Sequence, residues 1–216
     1  MIFHQADCLV AVPDDLSFIP SLTNCTNLQN LILSQNQFGG VLPGFIANLS
    51  SKLETLQLGW NKISGSIPQE IGNLNNLYLL EKNDNMISGS IPESIGKLSK
   101  LQGLLIMINN FSGKIPPSSG NITGLSWVTA ATNMLKGSIP AELGNCTNLQ
   151  ALDLRSNRLT GVIPEQVIGI PSLSLGLYLD LNEFTGLSIS GNKLRGEILS
   201  ALEIFLKVPF HHHLTI

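Results

Sequence analysis

The chain has 216 residues, of which 43% are hydrophobic and only 12% are charged, and its net charge is -3. The charges are scattered, so neither a basic stripe for nucleic acid nor a basic helix for a membrane surface is predicted. No apolar run approaches the roughly 20 residues needed to cross a bilayer. We therefore predict no membrane segment and no nucleic-acid partner.

Residues 1–27 are predicted to be an irregular N-terminus with part of a preceding repeat. Its opening lacks a basic start, and Asp7 interrupts the short apolar stretch, so no signal peptide is predicted. Cys8 is expected to be a free thiol or the remnant of a cap. Cys25 and Cys146 hold equivalent places five repeats apart, which is about 24 Å in stacked strands and too far for a disulfide. We expect these two to act as small buried apolar residues.

Residues 28–172 contain six copies of one repeat. The copies begin at Leu28, Leu53, Leu77, Leu101, Leu125 and Leu149, and a seventh begins at Leu173. The first two starts are 25 residues apart and the others are 24 apart. A period of this length, held over so many copies, predicts a solenoid in which stacked repeats share one core.

Each copy opens with the pattern LxxLxL, counted here from position 1, which is typical of a short strand with its leucines turned inward. An asparagine stands at position 9, and its amide group can both donate and accept where the chain turns away from the strand. We predict a buried asparagine ladder through the array. Its members are Asn36, Asn61, Asn85, Asn109, Asn133, Asn157 and Asn192.

The second half of each copy has the form LsGxIPxxLGNL, as in ISGSIPQEIGNL. This form resembles the plant-specific class of leucine-rich repeats. Within that class, residues 14–200 are similar to the ectodomains of leucine-rich-repeat receptor kinases, especially the subfamily of the flagellin and elongation-factor receptors and the rice blight-resistance receptor. The resemblance implies an α/β-type solenoid of short parallel strands and irregular or 3-10 turns, wound as a right-handed superhelix. From the sequence pattern we expect the caps that such ectodomains carry to be missing.

The same resemblance implies ligand perception in immunity or development, at the extracellular face of the plasma membrane or after secretion. The implied partners are a peptide or protein ligand and a shorter leucine-rich-repeat co-receptor kinase. No kinase motif or other catalytic motif is present, so we predict that the chain is not an enzyme and uses no cofactor and no metal. The alternatives are a secreted inhibitor resembling those of polygalacturonases, and a truncated paralogue without function.

Ligand recognition in a solenoid is expected on the concave face, which we define as the outward side chains at positions 2, 3, 5, 7 and 8 of the repeats. Exposed aromatic and aliphatic side chains there indicate an interaction site, and acidic side chains at its edge favour a basic ligand. The predicted site consists of Glu54, Gln57, Trp60, Tyr78, Leu79, Glu81, Asp84, Leu105, Met107, Ile108 and Trp127.

Several residues depart from the repeat. Lys82 occupies the apolar position 6 and is expected to extend its ammonium group to solvent or to distort the strand. Ala130 at the same position is expected to leave a small gap, and Ser119 replaces an apolar residue. Residues 173–200 are predicted to be degenerate, truncated repeats, with two residues missing before Asn182, and residues 201–216 a C-terminal tail. The three histidines in that tail are expected to be incidental.

Five Asn-x-Ser/Thr sequons are candidate glycosylation sites, provided that the chain is exported. They are Asn24, Asn48, Asn110, Asn121 and Asn145.

Overall fold

The computed structural model describes residues 2–4 and 15–187. The predictions for Cys8, Asn192, residues 188–200 and the tail 201–216 lie outside the described residues. In chain order the described strands are β1 (Ile2–His4), β2 (Asn30–Ile32), β3 (Thr55–Gln57), β4 (Ser64–Gly65), β5 (Leu79–Glu81), β6 (Met86–Ser90), β7 (Gly103–Leu105), β8 (Asn110–Gly113), β9 (Trp127–Thr129), β10 (Met134–Gly137), β11 (Ala151–Asp153), β12 (Arg158–Ile163), β13 (Gly176–Tyr178) and β14 (Glu183–Leu187).

The openings of the repeats form one sheet with the strand order β1-β2-β3-β5-β7-β9-β11-β13. From β2 onward the strands are parallel and pair equivalent positions, so that Leu56 faces Leu80 and Leu80 faces Leu104. These position-4 leucines are buried in a core that runs from repeat to repeat. The first strand, β1, is antiparallel to β2. One strand cannot bury its own apolar face, and the stack buries it jointly.

A second sheet has the order β14-β12-β10-β8-β6-β4 and is formed by the segments that follow the asparagines. Its strands are also parallel. Gly65 has a φ of 90° here, and a Cβ atom at this residue would lie 2.8 Å from the Val41 side chain. Glycine is therefore required both by the backbone conformation and by the close neighbour.

Short helices close each repeat on the side opposite the first sheet. All those that follow the sheet segments have a proline as N-cap residue, which ends the sheet pairing because proline has no N–H. The 3-10 helices are Leu16–Phe18, Gly44–Asn48, Gln69–Asn73, Glu93–Lys97, Pro117–Asn121 and Ala141–Asn145, and the α-helices are α1 (Ile19–Leu22) and α2 (Glu165–Ile168).

The position-9 asparagines bridge consecutive repeats. In Asn109, Nδ2 donates to the Lys82 carbonyl of the preceding repeat at 2.8 Å, and Oδ1 accepts from the Ile87 N–H at 3.0 Å. The same atom Nδ2 also donates to two carbonyls of its own repeat, those of Ile106 and Met107. Asn36 is exposed and, among the described residues, donates only within its own repeat. The members with the full pattern are Asn61, Asn85, Asn109, Asn133, Asn157 and Asn182.

The seventh repeat differs from its prediction. Leu173 N–H donates to Ile170 O as the repeat starts do elsewhere, and Leu175 N–H donates to Gln150 O at 2.9 Å. Compared with the other repeats, the seventh therefore has one additional residue, Ser174, between its start and its strand. The prediction that two residues are missing before Asn182 is wrong. Beyond Ser174, β13 pairs with β11 without a break, which brings Asn182 into the ladder. The pairing of β14 with β12 is irregular after Gly161.

Two further corrections concern buried residues. Cys25 is buried as predicted, but it is disulfide-bonded rather than a thiol. Cys146 is a buried free thiol, and burial raises its pKa to about 11. Lys82 does not reach solvent: its side chain is 0% exposed, and among the described residues its Nζ has no hydrogen-bond partner. Lys82 does not distort the strand either, because β5, which ends one residue before it, pairs regularly with the strands on both sides.

A small internal cavity lies beside Ala130, where the sequence predicts a gap. It measures about 20 Å³, enough for roughly one water molecule. Its lining is aliphatic except for Ser119, which stands where other repeats have an apolar residue. The two small side chains together leave this space unfilled.

Candidate functional site

The predicted concave-face residues lie on the outward surface of the first sheet in repeats two to five. Four of its large side chains are well exposed: Trp60 (47%), Tyr78 (43%), Ile108 (40%) and Trp127 (43%). Glu54 and Asp84 are exposed, and the remaining aliphatic members and Gln57 are half-buried. The surface therefore offers apolar area and negative charge together.

Position 8 forms one rim of this face, and its residues share an uncommon backbone conformation. Trp60, Asp84 and Ile108 have φ values of 53°, 51° and 55°. The following asparagine donates to the carbonyls two and three residues before it, which closes a tight turn around position 8. Left-handed backbone is costly for a β-branched residue such as Ile108. The left-handed conformation could not be predicted from the residue types at position 8, because Trp and Ile rarely adopt it.

The opposite rim is formed by position 2, where Glu54 and Tyr78 lie, with Trp127 beside it at position 3. Strand pairing aligns Trp127 with Gly103, Leu79 and Thr55, so Trp127 is three strands away from the strand that precedes Trp60. At about 3.3 Å per residue and about 4.8 Å per strand, their backbones are roughly 20 Å apart. The structure thus places the two tryptophans at opposite rims, with half-buried Leu79, Leu105 and Met107 between them.

Glu81 does not belong to the accessible acidic edge, and its assignment there is wrong. It is only 3% exposed. Its carboxylate accepts from Ser34 Oγ at 2.7 Å and from the Gly59 N–H at 3.1 Å. A side chain at Gly59 would occupy the place of this carboxylate. Glu81 is therefore drawn across the sheet into the gap left by a glycine on the neighbouring strand.

The bonds of Glu81 continue into a network across four repeats. The Asn83 N–H donates to Glu81 Oε1, and Asn83 Oδ1 accepts from the Met107 N–H at 2.9 Å. The network links the position-7 residues of repeats one to four by hydrogen bonds, so it prearranges the centre of the concave face. Rigid, prearranged surfaces lose less entropy on binding.

A charged cluster that sequence reasoning missed lies further along the same face. Arg155 donates to both carboxylate oxygens of Asp153, at 2.9 and 2.8 Å, and its guanidinium lies 4.9 Å from the centre of the Tyr178 ring. Asp180 is 3.9 Å from Arg155. The hydrogen bond with Asp153 is the main reason that the pKa of Arg155 is raised. With two carboxylates and one guanidinium, the cluster adds to the acidic character of the face.

Comparison with known proteins identifies the repeat. The Leucine Rich Repeat family matches residues 27–49, 52–74 and 148–169. The chain folds as a leucine-rich-repeat solenoid, similar to the solved ectodomains of plant receptors. Among the described residues of this solenoid, no helix is long and apolar enough to span a membrane. Within residues 2–4 and 15–187, no group of His, Cys, Asp or Glu is arranged to hold a metal ion.

The solenoid resembles parts of plant receptor-kinase ectodomains. A segment of 69 residues is 54% identical to the receptor kinase-like protein Xa21 of Oryza sativa subsp. japonica, which covers 31% of this chain and 7% of that protein. The ectodomain of GASSHO1/SCHENGEN3 from Arabidopsis thaliana, solved with CASPARIAN STRIP INTEGRITY FACTOR 2, matches with a TM-score of 0.72 and 39% identity over 80% of this chain. Arabidopsis HAESA, solved with the peptide hormone IDA and the co-receptor SERK1, matches with a TM-score of 0.70 and 38% identity over 76%. The chain spans 7%, 20% and 27% of these three proteins.

Proposed function

We propose that this solenoid is a recognition module of a plant receptor-like kinase, which binds a peptide or protein ligand on its concave face outside the cell. The observation that carries the proposal is the exposed apolar surface on a regularly paired sheet. Trp60 and Ile108 lie at one rim, Trp127 lies at the other, and half-buried Leu105 and Met107 lie between them. An apolar surface of this kind, rimmed by polar residues, is typical of protein interaction sites.

The charges on this face favour a basic ligand. Glu54 and Asp84 are exposed at opposite rims, and Asp180 extends the negative charge beyond them. The one guanidinium on the described part of the face, Arg155, is already held by Asp153. Complementary charge steers a basic ligand toward the face and disfavours acidic ones.

The relatives support a receptor rather than an inhibitor of wall-degrading enzymes. Of the solved neighbours named above, HAESA is in complex with the peptide hormone IDA and the co-receptor SERK1, and GASSHO1/SCHENGEN3 is in complex with CASPARIAN STRIP INTEGRITY FACTOR 2. By this likeness we extend to the present chain a peptide or protein ligand and a leucine-rich-repeat co-receptor kinase as partners. Signalling by the kinase would take place in a separate domain of the receptor.

The test begins with selection of random displayed peptides on the full chain. Selected peptides are expected to be rich in Lys or Arg together with aromatic or aliphatic residues. Their dissociation constants are then measured by calorimetry for Trp60→Ala, Leu105→Ser and Trp127→Ala. A residue that dominates such a contact contributes about 2 kcal/mol or more, so at least one variant should weaken binding by about 30-fold.

The matched control is Phe45→Ala, because Phe45 is an equally exposed aromatic residue (55%) on a 3-10 helix away from the sheet. It should leave binding unchanged, and all four variants should keep the circular dichroism spectrum of the parent. Selected peptides that bind all three concave-face variants as tightly as the parent would contradict the proposal.

We also propose that the five sequons carry N-linked glycans. Asn24, Asn48, Asn110, Asn121 and Asn145 are all exposed, and none occupies a concave-face position, so glycans would leave the ligand surface open. Expression in a eukaryotic secretory host should give a protein whose gel mobility increases on treatment with a peptide N-glycosidase. Replacing all five asparagines with glutamine should abolish this shift, and a mobility that the glycosidase does not change would contradict the proposal.

A further inference from the structure

A polar pocket lies at the position-2 rim of the concave face, at the point where β3, β5 and β7 begin. Its volume is about 420 Å³. One wall consists of the position-2 side chains of three successive repeats, and the other of residues from the turns that precede the strands. The principal lining residues are Glu54, Asn76, Tyr78, Ser99, Lys100 and Gln102.

The walls of this pocket are held in place by hydrogen bonds. Tyr78 N–H donates to Glu54 O and Gln102 N–H donates to Tyr78 O, both at 2.8 Å, so the three position-2 residues have a fixed spacing. Asn76 is held through Nδ2 by the Ser51 carbonyl at 2.7 Å, and its Oδ1 accepts from Lys100 Nζ at 2.6 Å. Asn76 therefore fixes the ammonium group of Lys100 at the mouth of the pocket.

Inside this pocket Lys100 offsets the charge of Glu54, so the preference for a basic ligand that holds on the open face does not extend to the pocket. Glu54 and Lys100 face the same space with opposite signs, so a cationic group gains from one and is repelled by the other, and an anionic group likewise. A purely apolar side chain is also disfavoured, because it would remove water from Glu54, Lys100 and Gln102 without replacing the lost hydrogen bonds. The favoured ligand carries no net charge and is rich in hydrogen-bonding groups.

Tyr78 adds one further requirement. Its side chain is 43% exposed, and a phenol ring offers an apolar surface with a polar end. A ligand that matches it needs an apolar face beside its hydroxyl groups, which is the chemistry of a pyranose ring. The amide of Gln102 can donate and accept, the Ser99 hydroxyl can do both, and the Glu54 carboxylate accepts from hydroxyl groups.

We propose that this rim pocket binds a ring of a neutral saccharide, with the ring stacked on Tyr78 and its hydroxyl groups bonded to Glu54, Lys100 and Gln102. The position-2 row continues with Gln29, Ser126 and Gln150, which are uncharged and polar. A linear chain of neutral sugars therefore finds hydrogen-bonding groups along the rim in both directions. The site goes beyond the proposed peptide recognition, although Glu54 and Tyr78 belong to both surfaces.

The experiment uses the full chain and saturation-transfer NMR with three probes: a neutral β-1,4-linked glucose hexamer, a neutral high-mannose oligosaccharide released from a glycoprotein, and an oligogalacturonate hexamer. Transfer to the glucan assigns the site to a free glucan chain, and transfer to the high-mannose oligosaccharide alone assigns it to a glycan of the kind that proteins carry. Either result supports the proposal. Transfer to none of the neutral probes, or tighter binding of the galacturonate, overturns it.

Variants then locate the binding. Tyr78→Ala should weaken saccharide binding by at least tenfold, whereas Tyr78→Phe, which keeps the ring, should retain most of it. Gln102→Ala and Lys100→Met should each weaken binding several-fold. The control Gln37→Ala removes an exposed glutamine that lies outside the position-2 row and should have no effect, and an equal loss in this control overturns the assignment.

Failure of this proposal is distinguishable from failure of peptide recognition. Trp60→Ala should leave saccharide binding unchanged, because Trp60 lies at the other rim. Gln102→Ala should in turn leave the binding of selected basic peptides unchanged. Thermal unfolding of each variant confirms that a loss of binding is not a loss of fold.

Discussion

Replacing Lys82 with methionine is expected to raise the free energy of unfolding, and to do so most strongly below neutral pH. Lys82 is fully buried on the core side of the first sheet, without a described partner for its Nζ. Burial lowers the pKa of Lys82 from its ordinary 10.5 to about 7, and the charge of Glu81 offsets only part of this. Methionine has a similar unbranched length and no polar head.

The pH dependence follows from the two pKa values. Between pH of about 7 and 10.5 the unfolded chain holds a proton on Lys82 that the folded chain does not, so stability rises with pH in this window. A pKa difference of one corresponds to about 1.4 kcal/mol, and the gap from 10.5 to about 7 corresponds to about 5 kcal/mol. This destabilisation is fully present below pH of about 7 and has disappeared above 10.5.

The assay is urea unfolding of the parent and of Lys82→Met at pH 6, 8 and 10. The gap between their free energies of unfolding should narrow by several kcal/mol from the lowest to the highest pH, while groups common to both proteins cancel. Lys62→Met is the matched control, because Lys62 lies exposed in the preceding repeat, and its gap should stay flat. A gap for Lys82→Met that is constant, or that widens as the pH rises, would refute the reasoning.

Three further substitutions test other features of the stack by thermal or urea unfolding. Asn109→Ala should cost about 1–3 kcal/mol, because it leaves the buried Ile87 N–H without a partner and the Lys82 carbonyl with only the longer bond from Asn85 Nδ2, at 3.4 Å; an unchanged melting temperature would contradict the bridging role. Ala130→Val should raise the free energy of unfolding by about 0.5–2 kcal/mol, because the larger side chain fills the internal cavity. A lower free energy of unfolding would show that the cavity does not accommodate valine. Ile108→Asn should stabilise by about 1 kcal/mol, since asparagine tolerates the φ of 55° better, and it should not change the spectrum of the fold.

The repeat period predicted most of the fold. It placed leucines such as Leu56 and Leu80 at equivalent positions, and the strands pair through those positions. A solenoid is stabilised mainly by contacts between one repeat and the next. A fixed period identifies the residues that make these contacts, because they are one period apart in the sequence. The bridging asparagines could be predicted for the same reason, because each amide forms hydrogen bonds both within its own repeat and to the adjacent one.

The features that the period could not predict depend on a neighbour outside the repeated pattern. Glu81 stands at an outward position, yet it is buried because Gly59 on the adjacent strand leaves room for its carboxylate. Lys82 was expected to reach solvent, but regular pairing on both sides of β5 keeps its side chain in the core. Asn182 joined the ladder through a single extra residue that the count from Leu173 did not anticipate.

The rim pocket was also hidden from the sequence. Its lining combines position 2 with turn residues such as Asn76 and Lys100 from outside the strands. A sequence search for outward side chains on the sheet finds only the position-2 residues and not the turn residues. The bond between Asn76 and Lys100 spans two successive turns, and it becomes visible only when the repeats are stacked.

The asparagine bridges give the stack a direction. Each bridging amide satisfies backbone groups of the repeat before it, as Asn61 does for Leu33 and Phe38. Within residues 15–187, no bridging asparagine bonds to the repeat that follows it. Removing a repeat from the carboxyl side therefore orphans a backbone N–H and weakens the bonding of a carbonyl in the repeat left behind. Removing one from the amino side frees only part of a side-chain amide. The two ends of such a stack are thus unequal, and unravelling that starts at the carboxyl end exposes more unpaired backbone at every step.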